Sequence, residues 1–466
     1  MSGKVKTSKY NICLPVGDEA RHWLIFNGGK GSFCLANEEL GILLDRADKN
    51  DRILPPVDER TYNFLMSKGF LDYDNQEDAQ IAELCSKQHC LNCDHITMSI
   101  VPSFNCNFNC DYCFEKAIWK EQQEKLKTVM SREMLDAVFA QTEAFRAEGK
   151  RITHFVFFGG EPFLPANKDI VAYACEKCDK AGIPVSVITN GYYLDEYLDL
   201  IAKYNFVAVK ITIDGPKEVH NARRAPAGTV GSFDRIVKNT LAALKTGKTI
   251  TFRTNVNQEN SWVIPCMKEE YERLGLMKYP NFSYYFGATM SSFEREENIF
   301  SNVQVMEQIG KGCSNYKYNS AYARVYKRLL PFMKGEKYME LKPEFCVAHS
   351  SRYTVDPFGN VYTCWNSMHN PNAVVASVDT EKGRFVYNEN FVRWNNRTVD
   401  KIEKCRNCKY MMFCGGGCAA QSMESKGDMM EAYCDCFPEV FNQVAVQIAK
   451  EELKSFLEEF ESSRPR

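Results

Sequence analysis

From His95 onward the chain alternates between short apolar runs and amphipathic stretches, and this alternation is its strongest pattern. ITMSIV (96–101), THFVFF (153–158), PVSVI (184–188), VAVKITI (207–213), ITFRTNV (250–256) and NFSYYF (281–286) are rich in β-branched and aromatic residues and too short for helices, so they predict strands. Between most of them lie stretches with apolar residues at helical spacing, such as the one opened by Ser131 and DRIVKNTLAALK, opened by Ser232. Six such strand–helix units predict a parallel sheet curled into a partial barrel. In that architecture functional groups sit on loops at the C-terminal ends of the strands.

The flanks read differently. Residues 8–75 hold the apolar strand WLIF (Trp23–Phe26), the turn Asn27-Gly28-Gly29, a second strand to Leu35, and a helix capped by Asn37 that carries Leu40, Leu43 and Leu44. A second helix around Thr61–Lys68 ends at Gly69. Residues 341–440 are rich in Cys, Gly and aromatics, with short strands RYTVD and NVYTC around the turn PFGN. Such segments bury little apolar area, so metal must replace part of the missing core. A last helix, roughly 438–461, places Phe441, Val444, Ile448, Phe456 and Phe460 at near-helical spacing for packing. The expected fold is α/β, a partial (β/α)6 TIM-type barrel at 96–300. A small α+β winged-helix-like module precedes it (1–80), joined by a Cys-containing linker (81–95). A helical bridge (301–340), an irregular cysteine-rich domain (341–440) and a C-terminal helix (441–466) follow.

A chain of 466 residues exceeds the size of one core, in keeping with several domains. Its 44% hydrophobic and 25% charged residues are those of a soluble globular protein, and a net charge of −2 gives no reason to expect nucleic acid or an anionic membrane as partner. The start, MSGKVKTSKYNIC, lacks the apolar core of a signal peptide, and no run of about 18 apolar residues occurs. A cytoplasmic protein is expected. Its 20 cysteines are then not expected to pair as disulfides, which reducing cytosol disfavours, and metal ligation is the economical explanation.

The densest cysteine cluster is SFNCNFNCDYCFEK, with Cys106, Cys110 and Cys113 at C-x3-C-x2-C spacing. A structural zinc site closes with four ligands. Three thiols on one short loop instead suit three corners of a cubic iron–sulfur cluster, leaving the fourth iron open to a substrate or cofactor. Polar residues around the thiols argue against three buried core cysteines. This loop follows the first barrel strand, GGEP (Gly159–Pro162) the second, TNG (Thr189–Gly191) the third and DGP (Asp214–Pro216) the fourth, which places all four at one rim. Cys175 and Cys178 read as helix packing, and Cys13, Cys34, Cys266 and Cys313 suggest no role.

CNFNCDYC resembles the C-x3-C-x-aromatic-C signature of radical S-adenosylmethionine (SAM) enzymes. In that family the open iron binds the amino and carboxylate groups of SAM, and an electron from the cluster cleaves it to a 5′-deoxyadenosyl radical that abstracts a substrate hydrogen. The resemblance implies that Cys106, Cys110 and Cys113 hold the cluster and that Tyr112 lies near the adenine. It implies that Gly159, Gly160 and Glu161 meet the methionine ammonium, and that Asn190, Thr212, Asp214, Arg224 and Arg253 are further cofactor contacts. For the arginines the competing reading is a surface ion pair.

The C-terminal pattern resembles the SPASM extension of peptide- and protein-modifying members: Cys346, then Gly359 with Cys364, then Cys405, Cys408, Cys414 and Cys418 at C-x2-C-x5-C-x3-C, then Cys434. Taken alone the four-cysteine run also fits a zinc ribbon. Beside the triad, the resemblance implies two auxiliary clusters, three [4Fe–4S] in all. One would be held by Cys346, Cys364 and Cys418, the other by Cys405, Cys408, Cys414 and Cys434, with Cys436 an alternative to Cys434. The first has only three thiols, so either an iron is open or a remote ligand completes it. His349 and the run Cys85, Cys90, Cys93 are the candidates. An open iron could hold a substrate thiolate beside a carbon radical and make thioether formation an intramolecular step.

The N-terminal module resembles leader-recognition elements of maturases of ribosomally made peptides, which bind a peptide as an added strand. The leading expectation is therefore a maturase installing a thioether or another radical crosslink in a precursor peptide, fed by an electron donor such as flavodoxin or ferredoxin. Its rival is an anaerobic sulfatase maturase, which oxidises Cys or Ser to formylglycine. That family resembles the barrel and SPASM region closely, but places an Asp base directly after the Gly-x4-Cys cysteine, where Cys364 is followed by Trp365. A C–C or C–O crosslinking or epimerising maturase is a further alternative. A non-catalytic iron–sulfur scaffold would have no use for GGEP.

Overall fold

The computed structural model describes residues 5–17, 21–72, 77–91, 93–115, 126–226, 228–229, 231–289, 300–312 and 319–454. It divides into two compact units.

The smaller unit comprises Met1–Asn92, Ser320–Cys346 and Arg397–Arg466. Strands β1 (Lys6–Thr7) and β5 (Leu71–Asp72) form an antiparallel pair, while β2 (Asn11–Val16), β3 (His22–Asn27) and β4 (Ser32–Asn37) form a three-stranded antiparallel sheet. All of β3 is buried, as the central strand of an apolar run should be. The sequence pattern missed β2 because NICLPV contains Pro15, which removes a ladder donor; the strand lies at the sheet edge, where proline is tolerated. Asn37 caps the helix Glu38–Lys49, its Oδ1 accepting from Leu40 N at 2.9 Å, and Asp58 caps Glu59–Ser67 in the same way through Thr61 N at 2.9 Å. Trp23, Ile25, Leu44, Leu65 and Phe70 make the apolar core beneath them. The linker expected at 81–95 is largely the helix Glu77–Leu91. Its sequence has no continuous apolar stripe to announce it. The helix Phe437–Glu452 buries Val440, Phe441, Val444 and Ile448, with Phe441 stacked on Phe413 at 4.8 Å. Phe456, Phe460 and Cys313 lie outside the described residues.

The larger unit comprises Cys93–Asn319 and Val347–Asn396. Here β6 (His95–Ile100), β7 (Arg151–Phe157), β8 (Val185–Thr189), β9 (Phe206–Thr212), β10 (Ile250–Val256) and β11 (Phe282–Ala288) pair in parallel in chain order, the open partial barrel that the apolar runs predict. Val187, Val209, Ile211 and Phe252 are fully buried, each worth about 1.5–3 kcal/mol of transfer free energy. Phe155 stacks on Phe139 of the outer helix Arg132–Ala147 at 4.8 Å, so alternation turns His154 and Val156 to the inner face.

The sheet continues into the two short strands expected around the turn PFGN, and beyond them. Strand β12 (Arg352–Val355) joins β6 in parallel, and β13 (Asn360–Tyr362), β14 (Val374–Asp379) and β15 (Arg384–Tyr387) follow antiparallel. The residues expected as one segment, 341–440, fall into both units: Val347–Asn396 groups with the barrel, where β12 extends its sheet. Ser232 opens the helix Phe233–Leu244 but does not cap it. Its backbone N and that of Phe233 donate to Asn221 Oδ1 at 2.9 and 3.0 Å, freeing its hydroxyl to donate to Arg224 O at 2.5 Å. Among the described residues no helix is long and apolar enough to cross a membrane.

Candidate active site

The loop after β6 carries Cys106, Cys110 and Cys113 to the wall of a cavity of about 230 Å³ in the larger unit, near the lower end of the range for small-molecule sites. Burial, reinforced by the neighbouring Glu115 and Cys110, pushes the Cys113 thiol up to about 12, and burial also raises Cys106 well above the ordinary thiol range. As free thiols they stay protonated, and only an electrophile such as iron would hold them as thiolates.

GGEP docks onto this loop. Glu161 N donates to Asn105 O at 2.8 Å, and Gly160, at φ +47°, comes so close that a Cβ would lie 2.3 Å from Asn105 O. Only glycine allows that approach. The Glu161 carboxylate, 1% exposed, accepts from Phe163 N at 2.9 Å and Thr189 Oγ1 at 2.5 Å through Oε1, and from Asn190 N at 2.6 Å through Oε2. It thereby ties the second rim motif to the third. Asn190 Nδ2 reaches back to Asn107 Oδ1 at 2.8 Å.

The Tyr112 hydroxyl donates to Asp214 and accepts from Arg224 Nη1 at 2.5 Å and Asn255 Nδ2 at 3.1 Å. Asp214 is fully buried and also accepts from Asn255 N at 3.2 Å. Of the residues named for cofactor contact, Tyr112, Gly159, Gly160, Glu161, Asn190, Thr212, Arg224 and Arg253 line the cavity, whereas Asp214 stands behind Tyr112. The surface ion pair weighed for the arginines does not describe Arg224, which is 9% exposed with its guanidinium over the Phe108 and Tyr112 rings.

Glu115, Phe158, Trp365 and Asn255 are among the wall residues that the sequence reading did not assign. Glu115 is 3% exposed; its Oε2 accepts from Gly160 N at 2.7 Å, and burial raises it to about 7. An acid beside a cysteine loop carries no sequence signal, since most acids are simply solvated. Trp365 stacks on Phe158 at 4.7 Å with Arg352 over its ring at 4.0 Å, and Asn255 completes the set.

Glu115 Oε1, Arg224 Nε and Arg253 Nε are buried without a partner among the described residues. Buried polar atoms of this kind await a ligand. A wall bearing an acid, two guanidiniums and aromatic rings suits a molecule with ammonium, carboxylate and nucleobase parts, as SAM has, and the three thiols suit an iron–sulfur cluster beside it.

In the smaller unit Cys405, Cys408, Cys414 and Cys434 line an enclosed cavity of about 70 Å³, and Cys436 does not. Burial raises Cys405 to about 11 and Cys414 to about 12. Among the described residues no three His, Cys, Asp or Glu side chains converge tightly enough for a single metal ion. Cys346 and Cys418 belong to this unit and Cys364, at the end of β13, to the larger one. Buried His349 is engaged by Trp394, whose carbonyl lies 3.0 Å from Nδ1.

Residues 100–262 match the family model described as the Radical SAM superfamily. The chain is 20% identical to the radical SAM cyclopropyl synthase TigE of Paramaledivibacter caminithermalis, over 94% of each chain. It is 22% identical to the cysteine-type anaerobic sulfatase-maturating enzyme of Clostridium novyi, over 75% of this chain and 95% of that one. The crystal structure of Streptococcus suis SuiB bound to precursor peptide SuiA superposes with a TM-score of 0.54 at 12% identity, over 93% of this chain and 99% of that one. At that identity the likeness speaks for the fold alone.

Proposed function

We propose that this chain, whose residues 100–262 form a radical SAM domain, is a peptide maturase that abstracts a hydrogen from a ribosomally made precursor and installs a crosslink, a Cys-to-carbon thioether. The convergence of the three cysteines, GGEP, TNG and the two arginines on one cavity carries the reading. A structural neighbour bound to a precursor peptide supports a peptide substrate.

Bound here, the cluster and SAM supply one-electron reduction and hydrogen abstraction. Cys106, Cys110 and Cys113 would hold that cluster by three thiolates, leaving one iron for the cofactor. Gly159, Gly160 and Glu161, with Glu115, receive the ammonium; Asn190, Thr212, Arg224 and Arg253 take ribose and carboxylate. Asp214 acts through Tyr112, fixing its hydroxyl. Trp365 and Phe158 form an aromatic wall that excludes water from the reacting atoms. Cys405, Cys408, Cys414 and Cys434 would hold one auxiliary [4Fe–4S] cluster, and Cys346 and Cys418 of the same unit would serve a second; such centres would supply an acceptor for the second electron. The precursor's leader pairs with an edge of the β2–β3–β4 sheet, and a cytoplasmic flavodoxin or ferredoxin supplies electrons.

The sulfatase-maturase alternative draws on the Clostridium novyi relative, but Trp365 offers no base where that chemistry needs one. Anaerobic incubation of the iron-loaded chain with SAM, dithionite and a co-encoded precursor distinguishes the readings by mass spectrometry. A crosslink gives 5′-deoxyadenosine and loss of two hydrogens per modification; formylglycine removes the cysteine sulfur, and epimerisation leaves the mass unchanged. No 5′-deoxyadenosine at all would overturn the assignment.

A further inference from the structure

Arg397 is completely buried in the smaller unit. Its Nε donates to Met429 O, Nη1 to Gly417 O at 2.9 Å, and Nη2 to Gly416 O and Glu431 O, both at 3.1 Å. Four carbonyls thus occupy its donors, yet carbonyls are dipoles and leave the net charge uncancelled. None of the ion pairs among the described residues involves Arg397. Burial pulls its proton affinity down, and the groups that push back are the sulfurs of Cys418, Cys405, Cys346 and Cys414. An uncompensated buried cation is costly. Neutral thiols cannot offset that cost, whereas thiolates can.

The backbone is shaped around this side chain. Gly415, Gly416 and Gly417, at φ +78°, +82° and +75°, form a left-handed run between Cys414 and Cys418 that offers two carbonyls to the guanidinium. A Cβ on Gly417 would lie 1.7 Å from Tyr433 O, beside Cys434. Met429 and Glu431 supply the other two carbonyls just before Cys434. The arginine therefore joins the segments that carry Cys414, Cys418 and Cys434.

We propose that Arg397 is the internal counter-cation of the auxiliary iron–sulfur centres and raises their reduction potential. The inference rests on the reading of these cysteines as cluster ligands. Reduction adds one electron from the external donor to a centre that is already negative, and a fixed positive charge nearby stabilises the reduced form. Arg397 stays protonated throughout and makes no bond.

The test uses the full chain carrying Cys106→Ala, Cys110→Ala and Cys113→Ala, so that only auxiliary iron is counted, reconstituted anaerobically. Iron content and dithionite titration followed by electron paramagnetic resonance are compared for Arg397, Arg397→Lys and Arg397→Met. At the midpoint measured with Arg397 present, the ratio of reduced to oxidised centre should fall at least tenfold in Arg397→Met. Arg397→Lys, which keeps the charge but not the planar fork, should load iron and titrate close to the Arg397 chain. An Arg397→Met chain with full iron and an unmoved midpoint overturns the inference alone. So does an Arg397→Lys chain that loses iron as fully as Arg397→Met, since the hydrogen bonds rather than the charge would then matter. If the chain with Arg397 intact holds no iron once the triad is removed, the auxiliary-cluster reading falls together with it.

Discussion

Glu115 shows how much of this site rests on single atoms. Its Oε2 holds Gly160 N at 2.7 Å while Oε1 is buried without a partner among the described residues. Glu161, a second buried carboxylate, flanks the same glycine, and its charge disfavours ionisation of Glu115. Two acids held out of water around one loop are costly unless a cation arrives between them. The ammonium of SAM is such a cation. Glu115→Gln keeps an oxygen for Gly160 N but removes the charge, so the iron-loaded variant should bind SAM about tenfold more weakly, roughly 1.4 kcal/mol, in anaerobic calorimetry. A SAM analogue without the amino group should bind both proteins equally. Equal losses for SAM and analogue would reduce Glu115 to a support for the loop.

At the level of elements, the rim loops matter through their approach distances. A methyl group on Gly160 would meet Asn105 O at 2.3 Å and Phe104 C at 2.7 Å, backbone atoms that cannot step aside, and the left-handed φ adds its own strain. Gly160→Ala should therefore weaken SAM binding at least tenfold by moving GGEP off the cysteine loop. Gly149→Ala is the control, since it has the same kind of φ, +83°, with nothing within 4 Å; it should cost about 1 kcal/mol in thermal unfolding and leave SAM binding alone. If both variants bind SAM as tightly as the parent chain, the close approach is incidental. These loops were legible from sequence because each follows an apolar strand of the partial barrel, so pattern and motif point to the same rim. Elements that depend on distant partners were not. Strand β12 takes its place from β6, more than 250 positions earlier, and four-residue RYTV gives no sign of which edge it will join. Strand β2 hid behind Pro15, and the helix Glu77–Leu91 lacks a face for a pattern to show. At residue scale the cysteines and GGEP stood out by spacing, whereas Glu115, Asn255 and Arg397 are single polar residues whose burial no local pattern announces.

Across the whole molecule the two units owe their stability to different sources. The larger one has a continuous apolar sheet core, with Met98, Phe155, Val187, Ile211 and Phe252 at 0% exposure, and its cysteine triad lies on the loop after β6 rather than on a strand of that sheet. Losing metal there should cost function and little structure. In the smaller unit the residues between Arg397 and Cys436 form short helices, among them Met411–Cys414 and Ala419–Lys426, and turns around four cysteines and a buried guanidinium. If these cysteines hold a cluster as proposed, ligated sulfur balances the buried guanidinium, and metal binding and folding are coupled in this segment. Chelating the iron from the full chain should therefore raise amide hydrogen exchange across 397–436 at least tenfold while β6–β10 keep their protection. The antiparallel β2–β3–β4 sheet, with the apolar core of Trp23, Ile25 and Leu65, should stay protected as an internal reference. Protection lost equally from the barrel strands would mean that iron supports the whole fold. Protection kept throughout 397–436 would mean that this cysteine-rich segment folds without metal, held by the apolar cluster of Val399, Ile402, Met411 and Met412.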